Sequence, residues 1–133
     1  MKVKKHWLVP LLVVACLLVV GAVLFYRMRS NETSAKGTLI ILYSALRVYR
    51  GNCPAYPQTF SDLKSDQGCG AFMMVTDELL TGHRDGYDFQ YEPRDTNGDG
   101  KLDFFVLRAT PSTRWFTGRK VFVIDSSGAR RTE

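Results

Sequence analysis

The sequence predicts an α+β protein: an N-terminal transmembrane helix, then an amphipathic helix packed on a small antiparallel β-meander. Three observations predict it. An uncharged apolar run occupies the start of the chain, a helical apolar period follows, and from Tyr87 that period gives way to alternation. The 133 residues leave room for one anchor and one domain of about a hundred residues, near the usual size of an independent folding unit.

Trp7 to Tyr26 reads WLVPLLVVACLLVVGAVLFY, twenty residues without a charge. At about 1.5 Å rise per residue such a helix spans roughly 30 Å, the thickness of a bilayer's hydrocarbon core. A secretory signal peptide is the alternative, but its apolar region is about 7–15 residues long and ends at a small-residue cleavage site. Here the apolar Val23, Leu24, Phe25 and Tyr26 continue past the only candidate, Gly21-Ala22, so the run reads as a retained anchor. Pro10 falls in the first turns, where a missing N–H is tolerated.

Lys2, Lys4 and Lys5 precede the span and Arg27 and Arg29 follow it, a modest basic excess on the N-terminal side. The positive-inside tendency then keeps residues 1–6 in the cytoplasm and exports residues 37–133, with 27–36 a juxtamembrane linker or a helix extension. The net charge of +5 does not argue for nucleic acid. The five basic residues flanking the anchor supply all of it, and beyond Ser30 the 13 basic residues balance the 13 acidic ones.

Of three cysteines, Cys16 lies inside the span. Cys53 and Cys69 are expected to form a disulfide in an oxidising compartment, closing a loop of 17 residues. Zinc would need more ligands, and His83 is the only histidine beyond the anchor.

In TLIILYSALRVYR, Thr38 to Arg50, residues Leu39, Leu42, Tyr43, Leu46 and Tyr49 recur at helical spacing, with Ser44 and Arg47 on the wetter side. Gly51-Asn52 is expected to stop this helix, and Pro54 and Pro57 to keep the chain extended. Gln58 to Lys64 reads as a helical turn seating Phe60 and Leu63. Val75 to Gly82 reads as a second short helix capped by Thr76, with Asp77 and Glu78 in its first turn. Then Tyr87, Phe89 and Tyr91 face one way and Asp88, Gln90 and Glu92 the other; Phe105, Leu107 and Ala109 mark a second strand and Lys120 to Asp125 a third. Only the Thr38 helix is large enough to cover their apolar side.

This order resembles the type IV pilins and type II secretion pseudopilins. The likeness runs through ALRVYRGNCPAYPQTFSDL, GYDFQYEP, FFVLRATP and TGRKVFVIDSSGARR, covering most of Leu39 to Arg131. It implies a pilin-like domain tethered to a bacterial inner membrane and facing the periplasm or the exterior. It breaks at the N-terminus, where a prepilin has a leader ending in glycine and a glutamate five residues into the mature chain. Lys5-His6-Trp7 offers no glycine, and no acid precedes Glu32. The resemblance thus implies the fold and an envelope role more firmly than a place in a fibre. The expected role is an accessory or assembly component of a pilus or secretion apparatus, with membrane lipid and the proteins of that machinery as partners. The alternative is a membrane-tethered binding module unrelated to filaments.

Asp95 to Asp103, DTNGDGKLD, reads in two ways. An EF-hand is excluded, because the twelfth position is Val106. The run does resemble the calcium loops of FG-GAP propeller repeats, which link strands of a hairpin. On that likeness Asp95, Asn97, Asp99 and Asp103 give side-chain oxygens, Lys101 its carbonyl, and Gly100 the sharp turn. The other reading is a polar hairpin with Asn97-Gly98 or Asp99-Gly100 at its tip. Both stand on the sequence.

The Gly-His-Arg-Asp-Gly run around His83 reads as a solvated loop, and no nucleophile elbow or phosphate loop occurs, so no enzyme is expected. Trp115 and Phe116, flanked by Arg114 and Arg119, are candidate interface anchors or a pair tucked onto the sheet edge.

Overall fold

The computed structural model describes residues 6–71 and 74–133; the lysines on which the expected orientation rests lie outside that range. One helix, α1 (Leu8–Asn52), runs 45 residues, about 68 Å at the usual rise. Residues 27–36 are therefore helix, not linker. Ser30-Asn31 and Gly37 are poor helix formers, but long-range contacts offset their propensity: Asn31 and Glu32 bond to a distant loop and Ala35 is buried. Gly51 and Asn52 are the last two residues of the helix, which stops where expected. It ends at Cys53, whose backbone turns extended (φ −125°, ψ 152°), as sterics demand of a residue before proline.

The two halves of α1 have different surroundings. Toward the N-terminus the apolar side chains have no cover: an 18-residue window averages a mean hydropathy of 3.0 with none of it buried. Among the described residues this is the one helix long and apolar enough to cross a bilayer. Ala35, Thr38, Leu39, Leu42, Ala45, Leu46 and Tyr49 then form a buried stripe, while Arg47 is exposed and Ser44 half-buried.

That stripe lies against an antiparallel sheet of five strands in sequential order: β1 (His83–Arg84), β2 (Tyr87–Arg94), β3 (Phe104–Pro111), β4 (Phe122–Asp125) and β5 (Arg130–Thr132). The registers Phe89↔Ala109 and Leu107↔Ile124 put the alternating apolar residues on one face. Tyr87, Phe105, Leu107, Phe122 and Ile124 join Leu42 and Leu46 in a single core. Each fully buried Leu contributes about 1.5–3 kcal/mol of hydrophobic stabilisation.

Two short helices, α2 (Asp62–Ser65) and α3 (Asp77–Leu80), cover the rest of the core through the buried Leu63 and Leu79. The ring of Phe60 stacks on Tyr91 at 5.3 Å. Thr76 precedes α3 in extended backbone but makes no side-chain cap bond, contrary to expectation. Cys53 and Cys69 are disulfide-bonded with Cα atoms 5.5 Å apart. Asn52 Nδ2 reinforces the junction by donating to the Cys69 carbonyl at 2.9 Å. The bridge thus fixes the loop to the C-terminal end of α1.

Candidate functional site

The loop between β3 and β4, Ser112 to Lys120, is closed on itself. The Thr117 hydroxyl accepts from the Thr113 N–H (3.1 Å) and donates to the Thr113 carbonyl (3.0 Å), and the Trp115 N–H donates to the Gly118 carbonyl (2.9 Å). Closing so tight a turn puts Trp115 at φ +75°, a left-handed conformation that costs a bulky residue about 1–2 kcal/mol. Gly118 sits on the ring of buried Tyr87; a Cβ there would lie 2.1 Å from the phenol oxygen. The Tyr87 hydroxyl donates to the Lys120 carbonyl at 3.0 Å, and burial, with the Glu32 charge second, pushes its pKa up to about 12.

Two bonds clasp this loop to α1 just beyond the apolar run. Asn31 Nδ2 donates to the Thr117 carbonyl at 2.9 Å, and the Arg119 N–H donates to Glu32 Oε1 at 3.1 Å. Between helix and loop opens a cleft of about 570 Å³. Five of its ten lining residues are basic (Arg29, Lys36, Arg114, Arg119, Lys120) and one, Glu32, is acidic; Phe25 and Trp115 supply its aromatic walls. The Arg119 guanidinium lies 4.5 Å over the Trp115 ring, and that of Arg29 5.3 Å over Phe25. Trp115 and Phe116 remain 58% and 63% exposed, so the pair does not tuck onto the sheet. Chemically the cleft suits an anion joined to an apolar body.

The Asp95 to Asp103 loop joins β2 to β3 as a hairpin connection. Asp95 accepts from the Gly98 N–H (2.7 Å) and the Gly100 N–H (2.8 Å), one on each carboxylate oxygen. Asp103 accepts the Thr96 N–H (2.8 Å) and hydroxyl (2.6 Å), and these bonds hold its pKa below the usual carboxylate range. Asn97 Oδ1 accepts from the Asp99 N–H and Asp99 Oδ1 from the Lys101 N–H. The donor chemistry suits a hard cation. The arrangement is nevertheless that of successive side-chain-to-backbone turns, and the three aspartates do not gather their oxygens within 4.8 Å of one another. Among the described residues the one such cluster is Cys53, Asp66 and Cys69, whose sulfurs are bonded to each other.

His83 and Arg84 are not in a loop but form β1, at the sheet edge. Pairing brings His83 Nδ1 to 2.7 Å from Asp88 and to 3.3 Å from the Ser112 hydroxyl, a grouping no local spacing announces. Both contacts fall on one ring nitrogen, so the hydroxyl and the carboxylate do not lie at opposite ends of a relay.

The cleft was half legible: Arg114, Trp115 and Arg119 lie close together in sequence, whereas Arg29, Glu32 and Lys36 reach them only because α1 is continuous. No protein-family model matches the chain, and no curated protein or solved structure matches it significantly.

Proposed function

We propose that this is a non-enzymatic, single-pass inner-membrane protein with an exported pilin-like domain, an accessory or assembly component of a type IV pilus or type II secretion apparatus. The observation that carries the reading is that one helix does two jobs. Its first half is an uncovered apolar rod of bilayer length, and its second half is the spine beneath an antiparallel meander. A rod of this kind holds a small domain at a fixed height above a membrane, which suits a part that must meet neighbours there. A second reading, a tethered binding module that never meets a filament, draws on the absence of any acid in the apolar run. A buried glutamate is what the resemblance would use to register one subunit on the next.

The test is fractionation of the cells that make the protein. After shearing and membrane preparation, crosslinking to pilus or secretion components, or recovery with sheared fibres, supports the first reading. Recovery in the membrane fraction without any such crosslink supports the second.

A further inference from the structure

The position of the cleft along α1 carries an inference beyond a bare anchor, and it rests on the reading that the apolar run lies in lipid. If Tyr26 marks the edge of the hydrocarbon, Asn31, five residues on, stands about 7.5 Å above it at the helical rise. A headgroup layer occupies about 5–8 Å on each side of the core. The loop is tied to α1 at Asn31 and Glu32 and lines a common cleft with Phe25, Met28 and Arg29, so it reaches from the top of that layer to the hydrocarbon boundary. Tryptophan and arginine are the residues that settle at such a depth, one for its amphipathic ring and the other for phosphate.

We propose that Ser112 to Lys120 is a membrane-docking foot: Trp115 and Phe116 enter the headgroup layer, and Arg114 and Arg119 take the phosphate oxygens of anionic phospholipids. Three observations converge on it. The aromatic pair is exposed, whereas the aromatics of the strands are buried or half-buried. The cleft carries five cations against one carboxylate, although the chain beyond Ser30 has as many acidic as basic residues, and juxtamembrane cations are drawn to anionic lipid. The loop is held rigid by its own hydrogen bonds, with Trp115 kept in a left-handed conformation, so little ordering entropy opposes insertion. Docking would fix the tilt of the domain on its anchor.

The experiment uses the full chain with Trp7→Phe, leaving Trp115 as the one tryptophan. It is reconstituted in phosphatidylcholine vesicles with or without phosphatidylglycerol. In anionic vesicles Trp115 emission should shift to the blue and be quenched by lipid brominated near the headgroup. Both effects should largely disappear in neutral vesicles, in high salt, and in Arg114→Gln/Arg119→Gln. That double variant keeps the Arg119 N–H bond to Glu32, and far-ultraviolet circular dichroism verifies its fold. Water-like emission in both lipids while the chain still floats with the vesicles would overturn the docking and leave the anchor standing. A chain that does not float at all would overturn the anchor and, with it, the docking. Equal burial in neutral and anionic vesicles would remove the role of the arginines and overturn the proposal. Burial that follows the protein-to-lipid ratio instead would assign the face to a second copy of the chain, and also overturn it.

Discussion

Asn31 donates a 2.9 Å hydrogen bond to the carbonyl of Thr117 across 86 residues of sequence. With the Glu32–Arg119 bond it holds the β3–β4 loop against α1 one turn beyond the apolar run. A half-buried side-chain hydrogen bond of this kind contributes about 1 kcal/mol net. Asn31→Ala should lower stability by about that amount, a melting shift of about 4–8 °C for a domain of this size. It should also raise amide exchange in Thr113 to Gly118 more than in the strands. Exchange that rises uniformly would show that the bond is not what holds the loop.

The Cys53–Cys69 bridge closes a loop of 17 residues, for which chain entropy gives about 3 kcal/mol. Reduction, or the double substitution to serine, should lower the melting temperature by about 12–24 °C. The reduced protein should expose the segment carrying α2 and Leu63 to protease before the sheet. Unchanged melting on reduction would mean that Asn52 and the packing of Leu63 hold the loop unaided.

Tyr49 on α1 donates to Asp66 at 3.0 Å; burial chiefly, then this bond and the Asp66 charge, push its pKa up to about 12. An exposed phenol titrates near 10, so the folded state holds this proton more tightly than the unfolded chain. The contribution is complete below about pH 10 and is lost as pH rises toward 12. Stability of the parent should therefore fall more steeply over that window than that of Tyr49→Phe, which keeps the ring and removes the proton. Parallel slopes would contradict the assignment.

The Asp95 to Asp103 hairpin is laced by hydrogen bonds within the loop, and calcium tells the turn from the cation site. Each oxygen of Asp95 and Asp103 already accepts a hydrogen bond from the loop. On the turn reading, melting of the full chain should be the same in millimolar calcium and in excess chelator. Asp95→Ala, which frees the Gly98 and Gly100 N–H groups, should cost about 1 kcal/mol in either condition. A rise in melting temperature with calcium that Asp103→Ala abolishes would establish the cation site instead.

The parts of the fold that were legible share one property: their side chains carry the pattern. Tyr87, Phe89 and Tyr91 alternate because one face is buried, and Leu39, Leu42 and Leu46 recur because one stripe is. β5 could not be read this way, since Arg130, Arg131 and Thr132 are all exposed and only backbone pairing makes them a strand. β1 has two residues and no period to detect. The polar stretch 27–36 stays helical through contacts with residues more than eighty positions away. The same long-range contacts build the cleft, so Trp115, Phe116 and the flanking Arg114 and Arg119 could be singled out in advance, but the wall that Arg29, Glu32 and Lys36 supply from α1 could not.

The central claim is that one helix is both bilayer anchor and domain spine, and Cys16 tests it most directly. It is the chain's free thiol, exposed on α1 about 15 Å from either end of the apolar run. In native membranes, intact or opened, Cys16 should resist a water-soluble maleimide and react fully once detergent denatures the protein. Ready labelling of Cys16 in untreated membranes, or recovery of the protein in the aqueous fraction with that thiol reactive, would contradict the account.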